Sequence, residues 1–261
     1  MVKRSGKTMN EQLPIKNIFL NGIYMPFEHY KELIRLGWPY AFLILASSFF
    51  PEKTDSFIFN SSYFILICIA GVLGGVGCHR VFLLPSEPVS ETNTIRWGSR
   101  ETNFMLKFFG IGLLGSIFLI PIVVLVSSYL EGVEFFAAGR NEALSGLIFT
   151  FALMPVYYFI SRWSLILPDS AVDNDNTFSW AWSVSSDYSF RLFILIGALP
   201  LSAHFLFALL ITFLEPSIIF GLIENTMWLI VAVIEICFLS LSYEWIVSKQ
   251  ESEDEELYGR S

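Results

Sequence analysis

The sequence predicts an all-α, polytopic membrane protein, and its composition and hydropathy carry that prediction. Of the 261 residues, 54% are hydrophobic and 15% are charged, whereas soluble domains have about 25% charged residues. The mean hydropathy is +0.59. Apolar stretches close to the roughly 20 residues that a helix needs to cross hydrocarbon recur along the chain. We therefore expect a bundle of helices that is solvated largely by lipid.

Six segments are candidate transmembrane helices. They cover residues 37–50, 59–84, 104–130, 144–167, 190–214 and 218–247. The first is short and reaches spanning length only with the more polar turn before it, so a re-entrant or interfacial helix is the alternative there. The chain accordingly divides into an N-terminal arm, a six-helix membrane domain and an acidic tail. These parts cover residues 1–26, 27–248 and 249–261.

Two further helices are expected at the membrane surface. An amphipathic N-terminal helix over residues 26–39 precedes the first span. Its apolar face comprises Phe27, Tyr30, Leu33, Ile34 and Gly37. After the fourth span, residues 178–190 place Trp180, Trp182 and Tyr188 among serines, which predicts a cytoplasmic interfacial helix in contact with lipid headgroups.

Lysine and arginine are distributed unevenly across the six predicted spans. Most of these residues fall on the side of the two termini, and only Lys53 and Arg140 fall on the other. Because basic residues near helix ends favour the cytoplasmic side, we expect both termini in the cytoplasm. Much of the net charge of −8 comes from the acidic run 251–256 of the tail and from the aspartates that follow the fourth span. We expect the tail to be solvated and disordered, or else a docking peptide for a basic partner. Nucleic acid is not an expected partner.

The sequence contains no recognisable catalytic or cofactor motif. Its cysteines, Cys68, Cys78 and Cys237, lie inside predicted spans at spacings that match neither a metal site nor a disulfide framework. We therefore expect no metal, no cofactor and no enzymatic activity. Pro121, Pro155 and Pro200 fall near the middle of spans and predict kinks there, which are tolerated in membrane helices and are also used by transporters.

Ionisable residues inside predicted spans are the candidate functional positions, because burying them in hydrocarbon is costly. His204 and Glu224 flank the short turn between the last two spans, at depths that differ by about 6 Å at the helical rise. A contact between them would be either a structural pair or a proton relay, and the absence of contact is the third alternative. Glu235 lies deeper between apolar runs and is the best single candidate.

Two arginines lie near the cytoplasmic ends of the second and fourth spans. Arg80 and Arg162 could reach toward Glu235 or, more easily, pair with Glu244. The alternative is that both side chains extend to lipid phosphates. A lipid-modifying site would need acidic or histidine side chains at headgroup level, and the obvious material is His79, Asp169 and Asp173.

Two helix exits end alike, with a basic residue followed by Leu-Pro, at residues 79–85 and 162–168. The second exit continues into Asp169-Ser-Ala-Val-Asp173, then Phe178, Trp182-Ser183, Ser185 and Phe190-Arg191-Leu192. Over residues 162–192 the chain resembles a group of bacterial inner-membrane proteins similar to the membrane domain attached to some glycerophosphodiester phosphodiesterases. It departs from that pattern at 185–187, which reads Ser-Ser-Asp where Thr-Arg-Gly is common.

The resemblance implies a six-helix bundle in a bacterial inner membrane, with no phosphodiester hydrolysis because the catalytic domain is not found in these residues. We expect a non-catalytic protein with an interaction or envelope-homeostasis role, or an accessory subunit of a membrane complex. The alternatives are a transporter with a path near Glu235 and His204, and a lipid-modifying membrane enzyme. Expected partners are membrane lipids and a protein partner or second copy of the chain.

Overall fold

The computed structural model describes residues 12–49, 56–84, 96–132, 142–211 and 217–258, which are helical throughout except for short turns. Ser56 and Thr177 begin helices by accepting hydrogen bonds from the backbone of the third residue after them. The helices are α1 Ile15–Glu28, α2 Tyr30–Ser47, α3 Phe57–Leu83, α4 Ser99–Gly132, α5 Glu142–Trp163, α6 Ile166–Ala171, α7 Phe178–Val184, a 3-10 turn Ser186–Tyr188, α8 Ser189–Leu192, a π-helical segment Phe193–Ala198, α9 Leu199–Ile211 and α10 Ile218–Tyr258.

Five helical stretches in the described part of the chain are long and apolar enough to cross a membrane, which confirms an all-α polytopic membrane protein. They are Phe57–Leu83, Ser99–Tyr129, Gly146–Ala171, Ser186–Phe207 and Ile218–Glu253. The first predicted span is not among them. It corresponds to α2, whose 18 residues include Lys31, Glu32 and Arg35. The predicted six spans therefore exceed by one the helices that qualify by length and composition.

Helix α2 nevertheless runs antiparallel to α3 over most of its length. Near its start, Leu36 packs so closely on Gly77 that a Cβ added there would lie 3.1 Å from the Leu36 Cβ. Further along, Tyr40 packs on Gly71. The Tyr63 hydroxyl then donates a hydrogen bond to the Leu43 carbonyl. The glycines of α3 thus make room for α2, because small residues allow helices to approach closely in lipid.

The N-terminal arm contains a packed helix, so its predicted boundary at residue 26 falls inside α1. Ile18 and Gly22 of α1 are buried, and the Phe19 ring stacks on Phe238 of α10 with centroids 5.8 Å apart. The Arg191 Nη1 donates to the Leu13 carbonyl at 2.6 Å. Residues 1–11 lie outside the described residues. From residue 12 onward the segment belongs to the bundle.

The predicted amphipathic helix over residues 26–39 is divided at His29, where α1 ends and α2 begins. Within it, Phe27, Tyr30 and Ile34 are exposed on the outside of the bundle. Leu33 is buried together with Leu36, a residue outside the predicted apolar face. The segment therefore packs on the bundle along a different line of side chains from the one expected.

The acidic tail differs from the expected disordered end, whereas the segment predicted as an interfacial helix is helical. Helix α10 continues without interruption to Tyr258, so the tail is helical up to that residue. The predicted interfacial helix consists of α7, the 3-10 turn and α8. Its aromatic side chains are partly buried against the bundle, with Trp180 beside Tyr243 and Tyr188 beside Trp245. These rings contribute to the packed core at one end of the bundle.

Buried side chains concentrate at that end. Leu165, Ile166, Leu192 and Leu195 are fully buried there, whereas the distant parts of α3 and α4 expose apolar residues. Those exposed residues include Phe57, Ile58, Phe64, Ile65, Leu119, Ile120 and Leu125. An exposed apolar surface of this kind is suited to lipid. The bundle therefore has a protein-like core at one end and lipid-facing helices beyond it.

Candidate functional site

The buried end of the bundle carries a network that we call the loop cluster: Arg80, Arg100, Asp169, Asp173, Asn176 and Tyr243. The backbone turns at Asp173, whose φ of 67° is a left-handed conformation. Aspartate adopts this conformation more readily than most residues. The Asp173 and Asn174 amides donate to the carbonyls of Ser170 and Asp169 at 3.3 and 3.1 Å. This turn ends α6 and directs the loop back across the helix ends.

Asp173 joins three elements of the loop cluster. Its carboxylate accepts from Arg80 Nη1 of α3 at 3.0 Å and from Arg100 Nε of α4 at 2.7 Å. The same Arg80 nitrogen donates to the Ala171 carbonyl at 3.0 Å. Partial burial tends to raise the pKa of Asp173, but the hydrogen bonds and charges of Arg100 and Arg80 outweigh burial and hold the pKa below its usual value.

Asp169 is the buried centre of the loop cluster, with no exposed surface. Its Oδ1 accepts from the Asn176 side chain at 2.8 Å and from the Tyr243 hydroxyl at 3.1 Å. Its Oδ2 accepts a hydrogen bond from the backbone N–H of Asn176 at 3.2 Å. Asn174 Nδ2 donates to the Tyr243 oxygen at 3.1 Å. A buried carboxylate needs such partners to offset its lost hydration, and here they tie α6, the loop and α10 together.

His79 and Arg162 make contacts close to the loop cluster. His79 is 1% exposed, and its Nδ1 lies 2.8 Å from the Ser240 Oγ of α10. The Arg162 guanidinium lies 3.4 Å above the Trp182 ring and donates to Ser185 Oγ at 2.9 Å and to the Trp182 carbonyl. The arginine thus fixes α7 to the end of α5 by a cation–π contact and hydrogen bonds.

These contacts differ from the ones expected for the two arginines. Neither the Arg80 nor the Arg162 contacts described above involve Glu235 or Glu244, and Glu244 is exposed on α10. Arg80 instead finds Asp173, which is distant in sequence and adjacent only after the loop folds back. Sequence reasoning did not identify Arg100, Asn176 or Tyr243. The polar run Ser240, Ser242 and Tyr243 within an apolar helix was the available signal for α10.

A second polar group, the mid-span pair, consists of His204 on α9 and Glu235 on α10. The His204 Nε2 and Glu235 Oε1 atoms are 2.8 Å apart, and the two side chains are 35% and 32% exposed. The nitrogen approaches without the alignment of a hydrogen bond, so in the described part of the chain Glu235 Oε1 is buried with no hydrogen-bond partner. His204 therefore pairs with Glu235 rather than with Glu224, the partner expected from sequence.

The stagger of α9 and α10 explains the wrong partner. Helix α9 ends at Ile211 and α10 begins at Ile218, so a symmetric hairpin would place His204 near Glu224. His204 contacts both Trp228 and Glu235, which places it level with a part of α10 about two helical turns beyond Glu224. The π-helical segment Phe193–Ala198, followed by Pro200, precedes His204 in the same continuous stretch. Such a change of helical winding shifts the residues after it relative to a regular helix.

Aromatic rings flank the mid-span pair. The Trp228 ring meets the His204 ring edge to face, with centroids 4.7 Å apart. The Phe207 ring also contacts Trp228, with ring centroids 5.0 Å apart. Tyr157 of α5 lies within electrostatic range of Glu235. The pair is thus held in a partly enclosed, mostly apolar site on the surface of the bundle.

Comparison with known proteins identifies no relative: no family model, no curated protein and no solved structure matches the chain. Among the described residues, no group of three or more His, Cys, Asp or Glu side chains could hold a metal ion.

Proposed function

We propose that this chain is a non-catalytic integral membrane protein that acts as an accessory subunit of a membrane complex or in envelope homeostasis. The observation that carries the proposal is that the ionisable side chains of the loop cluster are committed to contacts within the chain. Two arginines bracket Asp173, and Asp169 is fully buried. Proton-transfer catalysis needs a titratable group within reach of a substrate. The loop cluster instead supports a stable face for contact with another protein.

A lipid-modifying role is less well supported by the same geometry. His79, Asp169 and Asp173 were the groups that such a reaction would use. His79 and Asp169 are buried and contact side chains of α10. Asp173 forms ion pairs with two arginines. An active carboxylate is usually open to substrate and tuned for proton transfer. These three side chains have the surroundings of structural groups.

We further propose six membrane crossings, with both termini in the cytoplasm of a bacterial inner membrane. The course of α2 supports the sixth crossing, because its far end reaches α10, where Asn225 Nδ2 donates to Ser47 and Ser48 at 3.2 and 2.8 Å. The contacts of Arg80 and Arg191 place both residues at the buried end of the bundle. Basic residues at one end favour its location in the cytoplasm, and the resemblance over residues 162–192 supports a bacterial membrane.

Affinity purification of the tagged chain in mild detergent tests the leading proposal. We expect a second polypeptide in fixed stoichiometry, identified by mass spectrometry and native mass. Turnover of phospholipids and glycerophosphodiesters should be absent from the same preparation. Recovery of the chain without a protein partner, together with lipid turnover that Asp169→Asn abolishes, would contradict the proposal. Asp187→Asn is the matched control, because Asp187 is an exposed aspartate at the same end of the helix bundle.

A transporter is the second candidate function, and the position of the mid-span pair within membrane-crossing helices favours it. Membrane transporters place ionisable groups where they meet a substrate or proton path. This candidate predicts ion or solute flux in proteoliposomes that Glu235→Gln reduces and Glu224→Gln leaves unchanged. Flux equal to that of empty vesicles would remove it.

A further inference from the structure

The mid-span pair lies close to the middle of the membrane-crossing part of α10. Asn225 contacts the far end of α2, and Tyr243 belongs to the loop cluster, so these residues mark two polar levels. Along α10, Glu235 is about 15 Å from Asn225 and about 12 Å from Tyr243. The distance between the two polar levels, about 27 Å at the helical rise, matches the roughly 30 Å thickness of hydrocarbon.

At this depth, the net charge of the mid-span pair determines how much free energy its burial costs. Ionisable side chains at mid-membrane are costly unless they face protein, water or an opposite charge. With one proton between them, His204 and Glu235 form either imidazolium with carboxylate or neutral imidazole with carboxylic acid, and both forms have no net charge. Removing that proton leaves one negative charge, and adding another leaves one positive charge. The state with one proton therefore has the lowest desolvation cost.

Among the described residues, aromatic side chains lie next to the mid-span pair. On α10 and α9 the neighbours are the Trp228 and Phe207 rings. From α5 the facing titratable group is Tyr157. His79 of α3 contacts Ser240 of α10, about one and a half turns along the helix from Glu235. Cys78 and Cys237 lie together where α3 meets α10.

We propose that His204 and Glu235 form a site that binds one exchangeable proton inside the membrane domain. The 2.8 Å approach of His204 Nε2 to Glu235 Oε1 couples the protonation of the two groups. Among the described residues, the Glu235 Oε1 atom is buried and has no hydrogen-bond partner. Protonation of Glu235 would make this oxygen part of a neutral carboxyl group. The π-helical segment and Pro200 lie just before His204, and irregular winding of this kind is frequent at functional sites.

The test uses the full-length chain in lipid nanodiscs at about pH 7.5, where isolated carboxyl and imidazole groups together hold few protons. Infrared spectroscopy reads Glu235 through the carbonyl stretch of a protonated carboxyl group. Nitrogen-15 NMR of labelled histidine reads His204, one of three histidines in the chain. We expect either the carboxyl band or the imidazolium signal, sensitive to exchange into deuterated water. The signal should disappear in Glu235→Gln, which removes the carboxyl group and leaves His204 uncharged at this depth. His204→Gln should instead show a carboxyl band, because a lone Glu235 at this depth has its lowest desolvation cost when it is protonated.

Glu224→Gln and His29→Gln are the matched controls, because they remove the same groups from α10 and from the α1–α2 junction without touching the pair. They should leave the proton signal unchanged. A wild-type chain with ionised Glu235 and uncharged His204 would overturn the proposal. So would a carboxyl band or an imidazolium signal that persists unchanged in Glu235→Gln. The wild-type measurement is informative even if a variant fails to fold.

Discussion

The loop cluster and the mid-span pair both contain charged side chains, but they solve the problem of burial differently. Asp169 has no exposed surface and accepts hydrogen bonds from two residues of two elements. Glu235 is 32% exposed, and its partner approaches without hydrogen-bond alignment. The loop cluster resembles the polar core of a soluble protein, where buried polar atoms have hydrogen-bond partners. The second is incompletely satisfied, and such groups are the ones with capacity for a ligand.

The comparison predicts that the largest loss of stability follows removal of Asp169. Asp169→Ala leaves the Asn176 side chain and the Tyr243 hydroxyl without their acceptor, at about 1–3 kcal/mol for each buried group. We expect a loss of about 3 kcal/mol, or a fall in Tm of about 6–12 °C for a chain of this size. Thermal unfolding in detergent measures it. Asp187→Ala is the control and should change Tm little. Equal Tm values for the two variants would show that the loop cluster is not a stabilising core.

Close packing around the loop cluster should matter next. A Cβ at Gly22 of α1 would overlap the ring of Phe238, which is 2% exposed and has little space to move. We expect Gly22→Ala to destabilise by about 1–3 kcal/mol, the usual range for overpacking. Gly112→Ala is the matched control, because no atom lies within 4 Å of a Cβ there, and it should be neutral or stabilising by up to about 1 kcal/mol. Unchanged stability of Gly22→Ala would mean that α1 is not packed as described.

Gly22 also illustrates what sequence could and could not predict. Composition and apolar runs were sufficient for the all-α membrane fold, because lipid requires long apolar helices whatever their arrangement. Most of helix α1 was assigned to an N-terminal arm, and its 14 residues are too short to cross a membrane. Its role depends on Phe238, which is far away in sequence. The length of a segment predicts crossing, but not packing against a distant helix.

The two polar groups differ in how well sequence predicted them. Glu235, His204, Arg80 and Asp173 were all identified as candidates, since charged residues within or beside apolar runs stand out. Their partners were not predicted correctly. Asp173 reaches Arg80 only because its backbone adopts a positive φ, and His204 reaches Glu235 only because α9 and α10 are staggered. Pairing depends on backbone geometry, which residue spacing alone does not determine.

A smaller effect, dependent on pH, should distinguish Asp173 from the buried Asp169. The arginines lower the pKa of Asp173 in the folded state, so its ion pairs stabilise the fold above the ordinary aspartate pKa of 3.8. This contribution is lost as the pH falls through the lowered pKa. Because the Asp173 side chain is 55% exposed, we expect less than about 1 kcal/mol.

Comparison of Tm at neutral and acid pH in wild type and Asp173→Asn tests this expectation. The difference between the two proteins should be largest at neutral pH and shrink on acidification. Asp187→Asn serves as the control for loss of an exposed carboxylate. A difference that grows as the pH falls would have the wrong sign for a lowered pKa and would contradict the assigned ion pairs.

The mid-span pair should show the smallest effect on stability, and this is the sharpest contrast with the loop cluster. Glu235→Gln keeps the size of the side chain and removes an ionisable group from an apolar depth, where an ion pair contributes little net stability. We expect the free energy of unfolding to change by less than about 1 kcal/mol, with either sign. Asp169→Asn, the same chemical change in the loop cluster, should cost more because Asp169 Oδ1 and Oδ2 both accept hydrogen bonds. If Glu235→Gln proved as destabilising as Asp169→Asn, the mid-span pair would be a structural element like the loop cluster, and its partial exposure would no longer indicate a capacity for a ligand.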